Sequence, residues 1–593
     1  MEPLTEEPPA APAAGSTATA TTIAVERPAD VHDDPTAFVL GGSGGLRRRS
    51  AGALGTWAGI AVVAALVALP LRGLYRFTGG TMEEGFMLYF PERMAHGDVP
   101  NVDFLHLYGP GSLQVLEAWY GIFGHNLAAE RTFGLLQHVA ILLALFTLAR
   151  AWGRVTATAV AALAVFYVLT PIALTAMAWN GGLALLLWSA VFAVRGVHLA
   201  DARQRRWAWA ASGLLAGLAL TYRPDLIIAL ALVLGWLLWK HRASRAPVLL
   251  AAVVGLIPMW VQLVMAGPTA SFRGMIIDPV FHLRAGRELP RPPSWGHLDG
   301  GLQAVAEEIP PWWRLPHLSA SHTLFLWFFL MLIAAVGLLA VAIWLRRGLP
   351  SPSGRSTALL AVGLVSLGIL PQGLQRPDSA HLLWVTCVPF PFLIPATIEV
   401  VRRWRPRVSL RRALTAGGAV ALAVTLSFTA LFTFRYYLLH TRVGLGQVPH
   451  AFKVQRDDRY FYLGDHRAYL GVQAAVDELG KLAKPGDRLL VGPSDLRRTW
   501  YSDVFIYWLF PEMQPATYYI EMDPGLANKP GSSLAADVAS ADYVILTGLW
   551  NGWMEPNASM KYGSDAPNQV IRDHFCVVGN YTDGQAVLYR RCK

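Results

Sequence analysis

Long apolar runs separated by short polar joints dominate this chain. They lie at 51–72, 131–149, 155–175, 181–200, 207–222, 224–239, 246–266, 322–345, 356–371, 381–401 and 412–435. Many approach or exceed the roughly 20 residues that cross a hydrocarbon core. The pattern therefore predicts a polytopic α-helical membrane protein of about eleven transmembrane helices. The first run follows Arg47, Arg48 and Arg49. It is too long for a signal-peptide core and has no convincing cleavage site nearby, so it reads as a signal anchor with a cytoplasmic N-terminus. The tightest joint is Arg223-Pro224-Asp225, where two short spans must turn abruptly.

The joints carry the orientation. Every second one is basic and almost free of acid: Arg150 and Arg154; Arg203, Arg205 and Arg206; Lys240, Arg242 and Arg245; Arg346, Arg347 and Arg355; Arg402, Arg403, Arg405, Arg407, Arg411 and Arg412. This is the positive-inside pattern, and it puts those joints in the cytoplasm. Residues 1–45, rich in Ala, Pro, Thr and Glu with no apolar period, read as a disordered cytoplasmic tail. The transmembrane domain is expected over 46–437, with large external loops at 73–130 and 267–321. Residues 438–593 form the third external segment. There 467–483 fits an amphipathic helix, and DRLLVGP and ADYVILT read as buried parallel strands. FCVVGNYTDGQAVLYRR reads as a hairpin turning at Asp583-Gly584. A small C-terminal extracytoplasmic α/β domain is the result.

Composition agrees. The chain is 54% hydrophobic and 15% charged, against about 25% charged in soluble proteins. The net charge of +10 resides in the joints and signals no nucleic-acid partner. The expected place is the plasma membrane, and the Ala- and Arg-rich composition is that of a high-GC, actinobacterium-like chain. The three cysteines have no metal-ligand spacing. Cys576 and Cys592 flank the hairpin and are expected to form a disulfide in an oxidising compartment. A two-residue turn puts Cys576 opposite Arg591, so a bulge or longer loop is required.

The chemistry concentrates after the first span, in TMEEGFMLYFPERMAHGDVPNVDFLHLYGPG at 81–111. Glu83 and Glu84 form an acid pair at the membrane lip, and Asp103, His106 and Tyr108 follow. A carboxylate there is a candidate general base. The stretch Gly97-Asp98-Val99-Pro100-Asn101-Val102-Asp103-Phe104, then Tyr108-Gly109-Pro110-Gly111, completes an ordered loop.

This arrangement resembles the GT-C superfamily of polytopic glycosyltransferases. Protein O-mannosyltransferases, bacterial aminoarabinose transferases and actinobacterial arabinofuranosyl- and mannosyltransferases belong to it. In that superfamily an acidic pair lies in the first external loop, often followed by a G-x-x-P-Y-x-D-F…Y-G-P stretch. This chain has Glu where many members have Asp at the first acid. The resemblance implies inverting transfer of a sugar from a polyprenyl-phosphate donor to a cell-envelope acceptor, which is a glycan, glycolipid or protein. Glu83 or Glu84 would be the base, with Glu83 favoured as the first of the pair.

A lipid-phosphate leaving group needs cationic help, which a planar guanidinium supplies well. The external-face candidates are Arg131, opening span two; Arg223; Arg273, His282, Arg284 and Arg287 in the second external loop; and Arg376 with His381, flanking Asp378 in LQRPDSAH. Some superfamily members use a divalent metal; no acid cluster here demands one. Asn180 is read as a helix cap and His138 as a partner of a neighbouring helix. Trp500, Tyr501, Tyr507, Trp508, Tyr518, Tyr519, Trp550 and Trp553 are read first as core and bilayer seat, and second as a sugar-stacking groove. PATYYIEMDPG and EPNAS receive no chemistry. Two competing readings remain: a transporter or flippase for a lipid-linked glycan, and a non-catalytic envelope-assembly scaffold.

The charge pattern makes a direct prediction. Cysteines introduced at 204, 351 and 406 will be shielded from a membrane-impermeant thiol reagent in intact cells, and those at 98, 290 and 530 will be labelled. Labelling of the first set would invert the topology.

Overall fold

The computed structural model describes residues 46–304, 318–347, 353–448, 451–553 and 555–592, with side chains from 55 onward. The predicted tail, 1–45, lies outside them. Each apolar run coincides with helix, but not always with one unbroken span. Among the described residues six helices are long and apolar enough to cross a membrane: Gly55–Leu74, Leu127–Trp152, Ala178–His198, Ala320–Arg346, Gly354–Gln375 and Ser379–Trp404. A seventh is reached if Arg242–Gly255 and Ile257–Gly286, bent by 45°, count as one. The helix Arg154–Val168 has 15 residues, a rise of roughly 22 Å against a hydrocarbon core of about 30 Å. Ile227–Lys240 has 14 residues. Ala202–Tyr222 begins with Arg203, Arg205 and Arg206. By length and apolarity six or seven helices among the described residues qualify as spans, which does not reach the expected count of about eleven.

Local chemistry sets the helix ends. Asn126 accepts from the Ala129 N–H to start Leu127–Ala149, and Asp378 accepts from the His381 N–H to start Ser379–Thr386. Pro224 breaks the chain after Tyr222, where a single 3-10 turn, Pro224–Leu226, makes the tight joint expected at Arg223-Pro224-Asp225. Helices Ala202–Tyr222 and Arg245–Gly255 pack with almost no side chain between them. A Cβ on Gly213 would lie 2.0 Å from the Val248 carbonyl oxygen, so only glycine permits that approach.

The C-terminal domain holds a five-stranded sheet in the order Gln514–Pro515, Arg488–Pro493, Tyr543–Thr547, Ala586–Arg591, Phe575–Tyr581. The two predicted strands are parallel neighbours, Leu489 opposite Tyr543 and Pro493 opposite Thr547. The amphipathic helix is His466–Leu482, capped by Asp465. The hairpin differs from expectation. Its connection is the four-residue stretch 582–585, with Thr582, Asp583 and Gly584 all at positive φ. Register shifts between Val577 and Gly579, so Cys576 faces Arg590. Cys592, whose N–H binds the His574 carbonyl, reaches Cys576 diagonally. The disulfide forms with a Cα–Cα distance of 5.2 Å.

The two halves meet on the helix Glu83–Ala95, every residue of which from Glu84 to Arg93 is buried. Arg459 of the C-terminal domain grips Glu92 at 2.6 and 2.8 Å. Tyr89 stacks on Tyr507 with centroids 5.4 Å apart. A Cβ on Gly85 would lie 2.5 Å from the Phe505 nitrogen.

Replacing Cys576 and Cys592 together by Ala removes a cross-link spanning 16 residues, a loss of about 3 kcal/mol. The thermal midpoint of the C-terminal domain will fall correspondingly, read as tryptophan fluorescence against temperature. An unchanged midpoint would mean that the hairpin is held by the sheet alone.

Candidate active site

Adjacent carboxylates at a helix start point in different directions, since successive residues are about 100° apart around the axis. Glu84 turns inward. Arg131 Nε and Nη2 donate to its two oxygens at 2.6 and 2.7 Å. Arg131 Nη1 binds the carbonyls of Leu74 and Phe77 at 3.2 and 3.1 Å. Both side chains are 1% exposed. Glu84 and Arg131 are therefore consumed by each other and do not reach the cavity described next.

Glu83 turns the other way, into a cavity of about 1170 Å³. Its walls come from both halves of the protein. Tyr108, Arg223, Arg284, Arg287, Gln372, Arg376, His381 and Trp384 line it from the membrane half, and Tyr501, Trp550 and Trp553 from the C-terminal domain. Burial pushes the Glu83 carboxyl above its ordinary value, against the opposing pull of the helix-end N–H, Arg287 and Arg376.

The cations are organised around Tyr501. Its phenol oxygen accepts from Arg287 Nη1 at 2.8 Å and from Arg376 Nη1 at 3.3 Å. Tyr501 itself sits at φ +92°, a region non-glycine residues rarely occupy and that concentrates at functional sites. Arg376 Nε donates to Asp378 at 2.8 Å, and Nη2 pairs with Glu555. Asp378 also holds His381 Nδ1 at 2.8 Å. Burial alone would raise Asp378; His381 and Arg376 instead hold it down at about 2. Arg223 is bidentate to Asp225, donates to Gln372 at 3.0 Å, and lies 5.0 Å from the Tyr108 ring centroid.

The predicted residues thus separate into two groups. Glu83, Tyr108, Arg223, Arg284, Arg376 and His381 share the cavity, with Asp378 behind them. Asp103 is exposed and accepts from the Val99 N–H at 2.7 Å. His106 is fully buried against Phe86, Phe90 and Tyr108, and burial lowers its ring to about 3. Arg273 is largely exposed, and His282 binds Asp278 at 2.8 Å; both border a separate surface depression. Asn180 is not a cap: it lies inside Ala178–His198 and its amide faces His138 Nε2 at 3.0 Å. That contact agrees with the reading of His138.

Sequence reasoning missed Gln372 and Glu555 and gave the cavity aromatics second place. Tyr507 and Trp508 are core, as expected. Tyr501, Trp550 and Trp553 line the cavity. Glu521 and Asp523, in the unassigned YIEMDPG segment, are buried at the same seam. Burial lifts Asp523 to about 6, Arg287 opposing and Glu83 adding to the shift. Among the described residues no group of three or more His, Cys, Asp or Glu is placed to hold a metal ion.

No protein-family model matches the sequence. No curated protein matches it. The chain is similar in structure to ArnT from Cupriavidus metallidurans. The apo crystal structure matches with a TM-score of 0.45 at 13% identity, over 90% of this chain and 97% of that one. The structure of the same protein bound to undecaprenyl phosphate matches with a TM-score of 0.45 at 14% identity and the same coverage. A likeness of that degree assigns neither activity nor ligand to this chain.

The two glutamates should respond oppositely to neutralisation. Glu84→Gln strands the Arg131 charge in the interior, a cost of about 3–5 kcal/mol, and the thermal midpoint will drop. Glu83 has a raised pKa in the folded state, so its contribution to stability is full below the ordinary value of 4.5 and is lost as pH rises through the folded value. Glu83→Gln will therefore melt no lower than the parent at pH 7.5, with the difference closing toward pH 4.5. A Glu83→Gln midpoint well below the parent would mean that Glu83, too, is structural.

Proposed function

We propose that this protein is a membrane glycosyltransferase of GT-C type, transferring a sugar from a polyprenyl-phosphate donor to a cell-envelope acceptor at the outer membrane face. The observation that carries the reading is one carboxylate, Glu83, and two guanidiniums, Arg287 and Arg376, on the wall of one cavity. The residues that carry the superfamily resemblance supply that carboxylate.

The roles follow from charge. Glu83, ionised, takes the proton of an acceptor hydroxyl. The hydroxyl oxygen attacks the anomeric carbon from the face opposite the phosphate, and the bond from that carbon to the phosphate oxygen breaks. The configuration inverts, and the lipid phosphate leaves with its negative charge increased. Arg376 and Arg287 stabilise that charge, and Tyr501 holds the two in register. Burial serves the base. A carboxylate of raised pKa is a stronger proton acceptor than one in water, provided the working pH keeps it ionised. The charge pattern supports an external catalytic lip, where lipid-linked rather than nucleotide sugars are available.

The test is a panel of radiolabelled polyprenyl-phosphate sugars offered to the purified protein. Glu83→Gln will reduce turnover by about 10²–10⁴-fold while donor binding persists, and turnover of the parent will fall as pH drops through the Glu83 pKa. Arg376→Ala will weaken donor binding as well as rate, because the phosphate is charged before transfer as well as during it. A loss below roughly tenfold in Glu83→Gln rejects that residue as the base. No transfer from any donor rejects the reading.

A further inference from the structure

Three helices touch the cavity with one end only. Met177 precedes Ala178–His198, Arg223 follows Ala202–Tyr222, and Ile227 opens Ile227–Lys240; all three residues line the cavity. The other ends of these helices carry His198, Arg205 and His241. The 21 residues of Ala178–His198 separate the two places by roughly 30 Å. The end of a fourth helix, Ala320–Arg346, meets them there. The Arg346 guanidinium lies 5.6 Å from the Trp236 ring centroid, and the rings of Trp236 and His241 are 6.3 Å apart. His198 is within electrostatic reach of Arg346 and His241, and His241 within reach of Arg346 and Arg205.

These groups have no counter-charge. Among the described residues every charge that bears on the two histidines is positive. Arg205 is held by an aromatic face and a carbonyl: its guanidinium lies 5.6 Å from the Trp209 ring centroid, and Nη1 donates to the Leu199 carbonyl at 3.3 Å. The nearest acid in the chain, Asp201, is exposed and accepts from the Gln204 N–H at 2.7 Å. Arg346 Nη1 and Trp209 Nε1 are buried without any partner. A guanidinium drawn partly out of water with no anion beside it is costly. Burial, then Arg346 and Arg205, hold the His241 ring below its ordinary value, the response of an imidazole to uncompensated positive charge. The surroundings are apolar. Trp207 and Trp239, close to Arg205 and His241 in the chain, are exposed, as is Ile343 one turn before Arg346. Tryptophans placed at span ends in this way lie at the level of lipid headgroups.

We propose that Arg205, Arg346, His198 and His241 form a binding site for the phosphate of an anionic phospholipid, in the leaflet that the basic joints assign to the cytoplasm. Both arginines are half-buried, so each keeps an open edge from which its N–H groups can make charge-assisted bonds to phosphate oxygens. Basic pockets between span ends on that side suit such headgroups. The exposed Trp207, Trp239 and Ile343 offer acyl chains a surface, which a free phosphate would leave unused. The bound lipid supplies the missing negative charge and ties together the ends of four helices. Three of those helices hold Met177, Arg223 and Ile227 at the cavity, so the lipid steadies that wall from the opposite side. The site is independent of the glycosyl-transfer reading and stands or falls without it.

The experiment titrates dioleoyl phosphatidylglycerol into the delipidated full-length protein in detergent and counts retained lipids by native mass spectrometry. Dioleoyl phosphatidylcholine and inorganic phosphate are the comparison ligands. The parent will retain one phosphatidylglycerol in preference to phosphatidylcholine, and millimolar phosphate will not displace it. The double variant Arg205→Gln/Arg346→Gln will bind that lipid roughly twentyfold more weakly, since each basic group at a charged membrane surface is worth about fivefold. Arg411→Gln/Arg412→Gln removes the same charge from exposed positions on the same face and will bind as the parent does. Thermal midpoints without phosphatidylglycerol serve as the folding control. If the Arg205/Arg346 double variant melts below the parent there, the two single variants carry the same comparison, each with an expected loss of about fivefold. Equal loss in the two double variants overturns the site, because the attraction is then spread over the whole basic face. Equal retention of phosphatidylcholine overturns it too. Displacement by inorganic phosphate overturns the lipid assignment and makes the occupant a soluble anion.

Discussion

The fully buried ion pair between Arg131 and Glu84 is the constraint on which the rest depends. Two charges withdrawn from water are tolerable only when every donor is used, and here the Arg131 nitrogens are spent on both Glu84 oxygens and on the carbonyls of Leu74 and Phe77. One guanidinium thereby ties the end of the first helix, the start of the second and the first turn of Leu127–Ala149 into a single rigid corner. With Glu84 clamped, the helix Glu83–Ala95 has no rotational freedom, and Glu83 has only the cavity to face.

That same helix is the platform for the C-terminal domain. It is apolar or paired on all sides, which is the behaviour of a core helix rather than a surface one. The cavity is consequently a joint product. The membrane half contributes the carboxylate and the arginines; the C-terminal domain contributes the phenol that holds Arg287 and Arg376 together, and the carboxylate that balances Arg376. Four arginines of the membrane half, Arg223, Arg284, Arg287 and Arg376, line the cavity and would repel one another strongly in a low-dielectric setting. Asp225 on Arg223, Asp378 and Glu555 on Arg376, and Tyr501 between Arg287 and Arg376 answer that repulsion.

The sequence made some of this legible for definite physical reasons. Apolar runs and basic joints come from solvent partition, which acts residue by residue, so helix positions could be read directly. Span number could not, because Gly255–Ile257 bends one run and Val168 ends another early, and both depend on packing. The acid pair was visible, but which glutamate faces the cavity depends on Arg131, 47 residues further along the chain. The cationic candidates of LQRPDSAH converge because Asp378 caps a helix and orders its neighbours locally. Arg273 and His282, equally plausible by composition, pair with Asp278 on a different face. The contribution of Tyr501, Trp550 and Glu555 was not legible at all. Nothing in a linear pattern distinguishes an aromatic that fills a core from one that closes a cavity between two halves meeting across more than 400 residues.

The hairpin shows the same limit on a small scale. A two-residue Asp583-Gly584 turn fits the local propensities, but it leaves Cys576 opposite Arg591, so the expected disulfide required a bulge or a longer loop. The structure has both, a four-residue connection and a register shift at Val577–Gly579, and the cysteines pair diagonally. Turn chemistry constrained the presence of a hairpin, while register was set by what its strand must bury. Leu588 and Ala586 face the core beneath the central strand, and slipping the pairing by one residue would turn both outward. Burial outweighed turn preference there, just as the buried Arg131 outweighed any local preference in choosing between Glu83 and Glu84. In both places a long-range burial constraint selects among locally equivalent options.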